Sequence, residues 1–221
     1  MHQPGNDHFP RPLPPSGRRV IGGVILAGGG STRLGGGDKG LLLLGDRPIL
    51  AHVIAQLRPG VDALALSANG PPERFAAFGL PVLSDGPFGA VGPLAGLLSG
   101  LEWGAGQGFE AIVTAAADTP AFPADLVPVL RAAAATRGRP VAIAGSPGPD
   151  GPRAHPTFGF WSVTLLPPLR GALAAGERRI GRFAEAMGQA TAVFDEADAF
   201  FNINTPTDLA RARARFGGEG G

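Results

Sequence analysis

Val24-Ile25-Leu26-Ala27-Gly28-Gly29-Gly30-Ser31-Thr32-Arg33-Leu34-Gly35-Gly36-Gly37-Asp38-Lys39-Gly40 carries an apolar run into a loop made mostly of glycine, and the loop closes on a lysine. The apolar residues over 20–27 predict a strand covered on both faces. Glycine lets the backbone take positive φ and lets a ligand approach main-chain amides closely. Successive amides in such a loop form a concave anion site, and Lys39 adds a full positive charge. The stretch reads as a phosphate cradle beyond a buried strand. A flexible glycine linker is the plain alternative. Linkers, however, rarely sit between a buried strand and an apolar segment such as 40–44 while carrying Arg33 and Lys39.

Two familiar phosphate loops fail on the residues. Gly28-x-Gly30 opens a dinucleotide fingerprint, but its third glycine position holds Arg33, and glycines recur at 35–37 where a helix should run. A Walker A loop needs Gly-Lys followed by Ser or Thr. Here Asp38 precedes the lysine and Gly40 follows it.

Outward from the loop, Pro48 suits a helix start, and Ile49, Leu50, Val53, Ile54 and Leu57 recur at helical spacing. Residues 63–68 predict a second strand ending at Asn69-Gly70. Residues 71–78 predict a short helix closed by Gly79, and 82–84 a brief strand running into Asp85. A helix from Pro93 to about Trp103 follows. A strand over 111–116 then delivers Asp118-Thr119-Pro120. A helix over 123–135, a strand over 141–144, a loop rich in proline and glycine over 145–152 and a strand over 157–161 come next. Helical patterns at 163–174 and 180–187, short strands at 190–194 and 199–203, and a helix over 206–216 with Thr205 as its cap complete the chain. This alternation predicts an α/β fold with three layers, a mostly parallel sheet with helices on both faces. Ligands of such sheets bind beyond the carboxyl ends of the strands. The glycine loop, Asn69, Asp85, Asp118, Asn202 and Asn204 all fall there.

The chain has 221 residues, 44% of them hydrophobic, with a formal net charge of +1. That supports a globular core and gives no general case for nucleic acid or a membrane surface. Cysteine is absent, which removes disulfides, thiolate metal sites and a cysteine nucleophile and suits a cytoplasmic enzyme. No apolar run approaches a membrane span. Residues 1–19 are rich in proline and lack an apolar signal core, so they read as a disordered tail rather than a secretory signal. Residues 20–215 read as one domain, and 216–221 as a flexible end.

The stretch Leu26-Ala27-Gly28-Gly29-Gly30-x-x-Arg33-Leu34-Gly35-Gly36-Gly37-Asp38-Lys39-Gly40-Leu41 resembles the signature of the molybdenum cofactor guanylyltransferases, members of a wider nucleotidyltransferase superfamily with a Rossmann-like sheet. The superfamily usually ends this loop in Pro-Lys. Asp38-Lys39-Gly40 is similar to the molybdopterin branch, with Leu34 in place of its usual methionine. Asn69, Asp85, Gly92-Pro93-Leu94-Ala95-Gly96, Asp118-Thr119-Pro120 and Asn202-Ile203-Asn204-Thr205-Pro206 match further family motifs in family order.

The resemblance implies a reaction. The terminal phosphate of molybdopterin, or of its molybdenum-loaded form, attacks the α-phosphate of GTP and releases pyrophosphate. It implies Lys39, Arg33 and Asp118 as catalytic residues. Leu26, Ala27, Gly28, Gly29, Gly30, Lys39, Asn69, Asp85, Gly92 and Asp118 would bind GTP, and Asp118 would hold Mg²⁺ or Mn²⁺. It places Arg153, His155, Arg178, Arg179, Asn202 and Asn204 on the pterin side. Partners would be other cofactor-biosynthesis proteins and recipient molybdoenzymes.

The chemistry suits these residue types. Two anions must meet, so the first problem is charge, which amides, Lys39 and a hard cation on Asp118 can answer. A phosphate monoester is already ionised near neutral pH and needs no strong base. Plainer readings stand beside these. Asp118 before Thr-Pro is also a turn or cap residue. Asp85 before Gly86 and Asn69 before Gly70 are also turn pairs, and Arg178 and Arg179 a solvated cluster at a helix start. His155 reads more simply as a loop residue. Asp85 could accept from guanine, or serve metal or sugar. Gly70 stands where the family often has a basic residue, which puts an extra phosphate contact there in doubt. A strand over 199–203 would put Asn202 and Asn204 on one face. The rival functions are a cytidylyltransferase acting on the same pterin, a sugar-phosphate nucleotidyltransferase, and a GTP-binding module that delivers the cofactor without catalysis.

Overall fold

The computed structural model describes residues 20–27, 38–86, 92–196 and 199–216. β1 (Ile21–Leu26) comes first. The hairpin of β2 (Leu43–Leu44) and β3 (Arg47–Pro48) leads into helix α1 (Ile49–Leu57). β4 (Ala63–Ser67), β5 (Val82–Leu83), α2 (Pro93–Gly106), β6 (Ala111–Ala116) and α3 (Leu126–Arg137) follow. Then come β7 (Val141–Ser146), β8 (Arg153–Ser162), α4 (Leu166–Ala174), α5 (Ile180–Ala186), β9 (Ala190–Val193) and α6 (Pro206–Phe216). A seven-stranded sheet has the order β5-β4-β1-β6-β8-β7-β9. β1 pairs in parallel with β4 and β6, and the β4–β5 and β7–β9 pairs are parallel too. β8 runs antiparallel to both its neighbours. The mostly parallel sheet expected from the alternation is borne out, with one reversed strand.

Alternation along β1 makes the layers. Ile21 and Ile25 face one side, where α1 and α3 contribute Leu50, Val53, Leu57, Leu126 and Leu130. Val24 and Leu26 face the other, with Leu97, Leu101, Leu169, Leu173 and Phe183 of α2, α4 and α5. Period-two side chains on a strand buried on both faces require this split. Between them, Gly22 allows a close approach: a Cβ there would fall 2.6 Å from the Phe109 ring and 2.8 Å from Trp103. Those rings form an edge-to-face pair at 5.3 Å, which a shift of either would disturb. Gly22→Ala should therefore cost about 2 kcal/mol through overpacking, read as a lower midpoint in urea unfolding.

Several elements depart from expectation for local reasons. α3 starts at Leu126, not 123, because Pro128 lacks an N–H and sits in a helix only within its first turn. α2 runs to Gly106, past Trp103, and Gly104 still packs closely on Ile112 of the sheet. β8 begins at Arg153, so His155 lies on a strand rather than in a loop. Its pairing with β7 jumps from Ile143↔Gly159 to Ala144↔His155, and that irregularity accommodates Pro156.

A further departure is the strand expected over 199–203, which does not form. Phe200 takes φ +66, outside the extended region, and the segment bonds to the loop after β6 instead. Phe200 N donates to Ala121 O at 3.1 Å and Ile203 N to Asp118 O at 2.9 Å.

α6 is capped as expected. Asp208 N donates to Thr205 Oγ1 at 3.1 Å, and the Asp208 carboxylate takes Asn204 N at 3.0 Å and Thr205 N at 2.8 Å. The Thr205 hydroxyl, then the Asn204 amide, hold the Asp208 carboxyl below the usual carboxylate range. Phe216, assigned to the flexible end, is the last residue of α6 and rests its ring on His52 at 5.2 Å. The tail at 1–19 and residues 217–221 lie outside the described residues.

Candidate functional site

Parallel pairing brings the carboxyl ends of β1, β4, β5 and β6 to one edge of the sheet. Backbone bonds hold them in step there: Ala27 N donates to Ser67 O at 2.8 Å, Ala68 N to Leu83 O at 3.0 Å and Ala117 N to Leu26 O at 3.1 Å. Lys39 opens a single 3₁₀ turn, Lys39–Leu41, at this edge. Its Nζ donates to Asn204 Oδ1 at 2.5 Å and lies 3.8 Å from Asp118 Oδ2. Thr119 is buried, and its hydroxyl meets both Asp118 Oδ1, at 3.2 Å, and the Asn202 side chain. Three motifs far apart in sequence thus meet in one polar cluster. Burial pushes the Asp118 carboxyl above its ordinary range, opposed by the Lys39 ammonium and the Thr119 hydroxyl. Asn202 and Asn204 reach the cluster through the Ile203–Asp118 backbone bond, not through a shared strand face.

Asn69 and Asp85 form a second cluster beside it. Asn69 Nδ2 donates to Asp85 Oδ2 at 2.5 Å, Asp85 N returns a bond to Asn69 Oδ1 at 3.4 Å, and Ser67 Oγ donates to Asp85 Oδ1 at 3.4 Å. Asp85 is 4% exposed. It lies beneath Asn69 as a buried brace, whereas Asn69 is partly open. Gly92 caps α2 at φ +92, a left-handed conformation that glycine adopts without strain.

Arg74 was not among the expected site residues. It lies on the 3₁₀ helix Pro72–Phe78, within the short helix expected over 71–78. Its Nη2 donates to the Asn69 carbonyl, and its Nε lies 2.6 Å from Asp38 Oδ2. Gly70 leaves it room: a Cβ there would fall 2.6 Å from Arg74 Nη1. A cation therefore does stand over position 70, supplied from four residues further on. Nothing in the motif spacing pointed to it.

Four of the residues expected on the acceptor side share one cavity of about 430 Å³, lined by Arg153, His155, Asn202, Asn204, Asp208 and Arg211 among others. His155 stacks on Phe200 at 4.6 Å, and its Nε2 lies 2.9 Å from Ser146 Oγ. Burial, and then the Arg153 charge, hold its ring below its ordinary pKa, so it is neutral near pH 7. The Arg211 guanidinium lies 4.6 Å over the Phe201 ring. Asp208 and Arg211 are further residues not anticipated. Their spacing of three on the helix after Thr205-Pro206 was the available signal, since it puts both on one face.

Arg178 and Arg179 are elsewhere. Arg178 Nη1 donates to Leu173 O at 2.9 Å and Glu177 O at 2.7 Å, which closes the end of α4. Both their amides donate to Glu177 Oε1 at 2.9 Å. The Arg178 carbonyl faces Gly92, and neither arginine lines the acceptor cavity. Gly28, Gly29, Gly30 and Arg33 lie outside the described residues. Leu26 is buried in the core, and the Ala27 amide is used within the sheet.

Among the described residues no group of three or more His, Asp or Glu could hold a metal by itself. Asp118 alone suits a hard cation that completes its oxygen shell with phosphate and water. An ionisable carboxyl kept partly buried beside a single ammonium fits such use. No described helix is long and apolar enough to cross a membrane.

Comparison with known proteins bears on the family and the fold. Residues 23–191 match the MobA-like NTP transferase domain family. A molybdenum cofactor guanylyltransferase of Mesorhizobium japonicum is 48% identical over 202 residues, covering 88% of this chain and 95% of its own length. A crystal structure of molybdopterin-guanine dinucleotide biosynthesis protein A from Archaeoglobus fulgidus superposes with a TM-score of 0.70 at 21% identity, covering 88% of this chain and 97% of that one. A 4-diphosphocytidyl-2C-methyl-D-erythritol synthase from Anaerococcus prevotii reaches 0.69 at 15% identity, covering 89% and 98%. At these identities the structural likeness establishes the fold alone.

Proposed function

Because the chain belongs to the MobA-like NTP transferase family, we propose that its Lys39–Asp118 centre transfers GMP from GTP to molybdopterin. The chain is a nucleotidyltransferase of the molybdenum cofactor guanylyltransferase kind. An oxygen of the molybdopterin terminal phosphate bonds to the α-phosphorus of GTP. The bond from that phosphorus to the bridging oxygen breaks, and its electron pair leaves with pyrophosphate. No proton need move, because the attacking phosphate is already ionised.

The observation that carries this reading is the meeting of Lys39, Asp118 and Asn204, with Lys39 and Asn204 bonded across 165 positions of sequence. A lysine at the end of the glycine-rich stretch and a partly buried carboxylate, beyond the strand ends and beside a polar cavity, suit a two-anion site. Lys39 neutralises the triphosphate and the charge growing on pyrophosphate. The glycine-rich composition of 28–30 and 35–37 suits a phosphate cradle. Asp118 would hold Mg²⁺, or Mn²⁺, which when bound supplies positive charge to the phosphate oxygens. Asn69, braced by Asp85, fixes the nucleotide. The cavity takes the acceptor, with Arg153 and Arg211 facing its phosphate and neutral His155 offering a hydrogen bond. Asn204 spans both halves, since it lines the cavity and bonds Lys39.

The test supplies purified protein with molybdopterin, Mg²⁺ and either GTP or CTP and measures pyrophosphate. Release with GTP is expected. Release with CTP alone would overturn the guanylyl reading. Retained GTP binding without turnover would favour a delivery module.

A further inference from the structure

We propose that Arg74 is a positioning residue that neutralises Asp38 and thereby leaves Lys39 free for the triphosphate. The inference rests on the reading above, in which Lys39 meets that triphosphate. Asp38 immediately precedes Lys39 at the end of the glycine-rich stretch. An unpaired carboxylate there would act twice against the reaction. It would compete with the nucleotide for the Lys39 ammonium, and it would repel the triphosphate itself. Arg74 meets it with Nε at 2.6 Å from Asp38 Oδ2. The same guanidinium is held from behind by the Asn69 carbonyl, and Asn69 is braced by buried Asp85. A polar chain therefore runs Asp85, Asn69, Arg74, Asp38 and reaches the turn that carries Lys39.

This arrangement needs arginine. One planar group must bring its charge within 2.6 Å of a carboxylate while Nη2 bonds a carbonyl, which a point ammonium does not reproduce. It also needs the space that Gly70 leaves at φ +83. Arg74 and Asp38 are only 28% and 27% exposed, so the pair is screened less than a fully solvated one. Pairs near a surface nonetheless add little to stability. The effect of Arg74 should thus appear in catalysis more than in folding.

The test is a double-mutant cycle on kcat/KM for GTP, with Mg²⁺ and molybdopterin saturating. Arg74→Ala should lower kcat/KM about 30-fold, and in an Asp38→Asn background the same change should cost about threefold or less. A merely structural arginine would cost the same in both backgrounds, because Asp38→Asn does not restore the bond to the Asn69 carbonyl. Equal losses overturn the proposal. Arg74→Lys keeps the charge and serves if Arg74→Ala fails to fold. It should retain more activity than Arg74→Gln, and equality of those two would also overturn the proposal. Lys39→Ala run alongside separates the premises: full activity in that variant would sink the reading of Lys39, whatever Arg74 does.

Discussion

Lys39→Ala should lower turnover by about 10³-fold at saturating GTP, molybdopterin and Mg²⁺, measured as pyrophosphate release. The ammonium lies 3.8 Å from Asp118 Oδ2 and 2.5 Å from Oδ1 of Asn204, which itself lines the acceptor cavity. Charge moves toward the bridging oxygen as the α-phosphorus bond breaks, so an ammonium there binds the transition state more strongly than it binds GTP. The loss should consequently fall mainly on kcat, with a smaller rise in KM. A second effect follows from Asp118. Lys39 is the charge that opposes the upward push of burial on that carboxyl. Without it, the residual activity should need a higher pH to reach its plateau, because ionised Asp118 is harder to form. An unchanged rate would remove Lys39 from the reacting centre. A loss confined to KM would make it a ground-state contact.

The sequence was most legible where one local rule decided the outcome. β6 and α1 end where apolar period and punctuation put them, and Thr205 caps α6. Lys39, Asp118 and Asn69 could be picked out because each follows a strand or a glycine-rich loop, where a parallel sheet puts its ligands. What escaped depends on contacts that spacing does not encode. Arg74 reaches the site because a 3₁₀ turn and Gly70 let it fold back on Asn69. The segment 199–203 has the composition of a strand but bonds to the loop after β6, because Phe200 leaves the extended region. Arg178 read equally as a phosphate ligand or a solvated charge, and its guanidinium bonds the end of α4. Charge alone does not distinguish those two uses of arginine.

Asp118→Asn should abolish turnover and at the same time make the ligand-free protein more stable near neutral pH. Turnover falls because an amide is a poor ligand for a hard cation beside phosphate, and a loss of about 10³-fold is expected. The stability gain follows from the direction of the Asp118 shift. Burial raises its folded pKa above 3.8, more than Lys39 and Thr119 lower it. Between 3.8 and the raised value the folded chain binds the proton more than the unfolded chain does. Stability therefore falls as pH rises through that window and stays lower above it. Asparagine carries no charge and escapes the penalty. The difference in Tm, variant minus wild type, should be smallest at the acid end of that window, grow as pH rises through it and level off near neutrality. Taking the difference cancels the other carboxyl groups. Mg²⁺ with GTP should reverse the ranking, since a ligand bound to the folded state stabilises the protein that binds it best. A variant less stable than wild type at pH 7 without ligand would mean that the pairing with Lys39 outweighs burial. Retained turnover would take the metal away from Asp118. The two together would leave Asp118 a structural turn residue. Stability lost in the free protein and regained only with metal and nucleotide is the signature of a carboxylate kept for binding, not for folding.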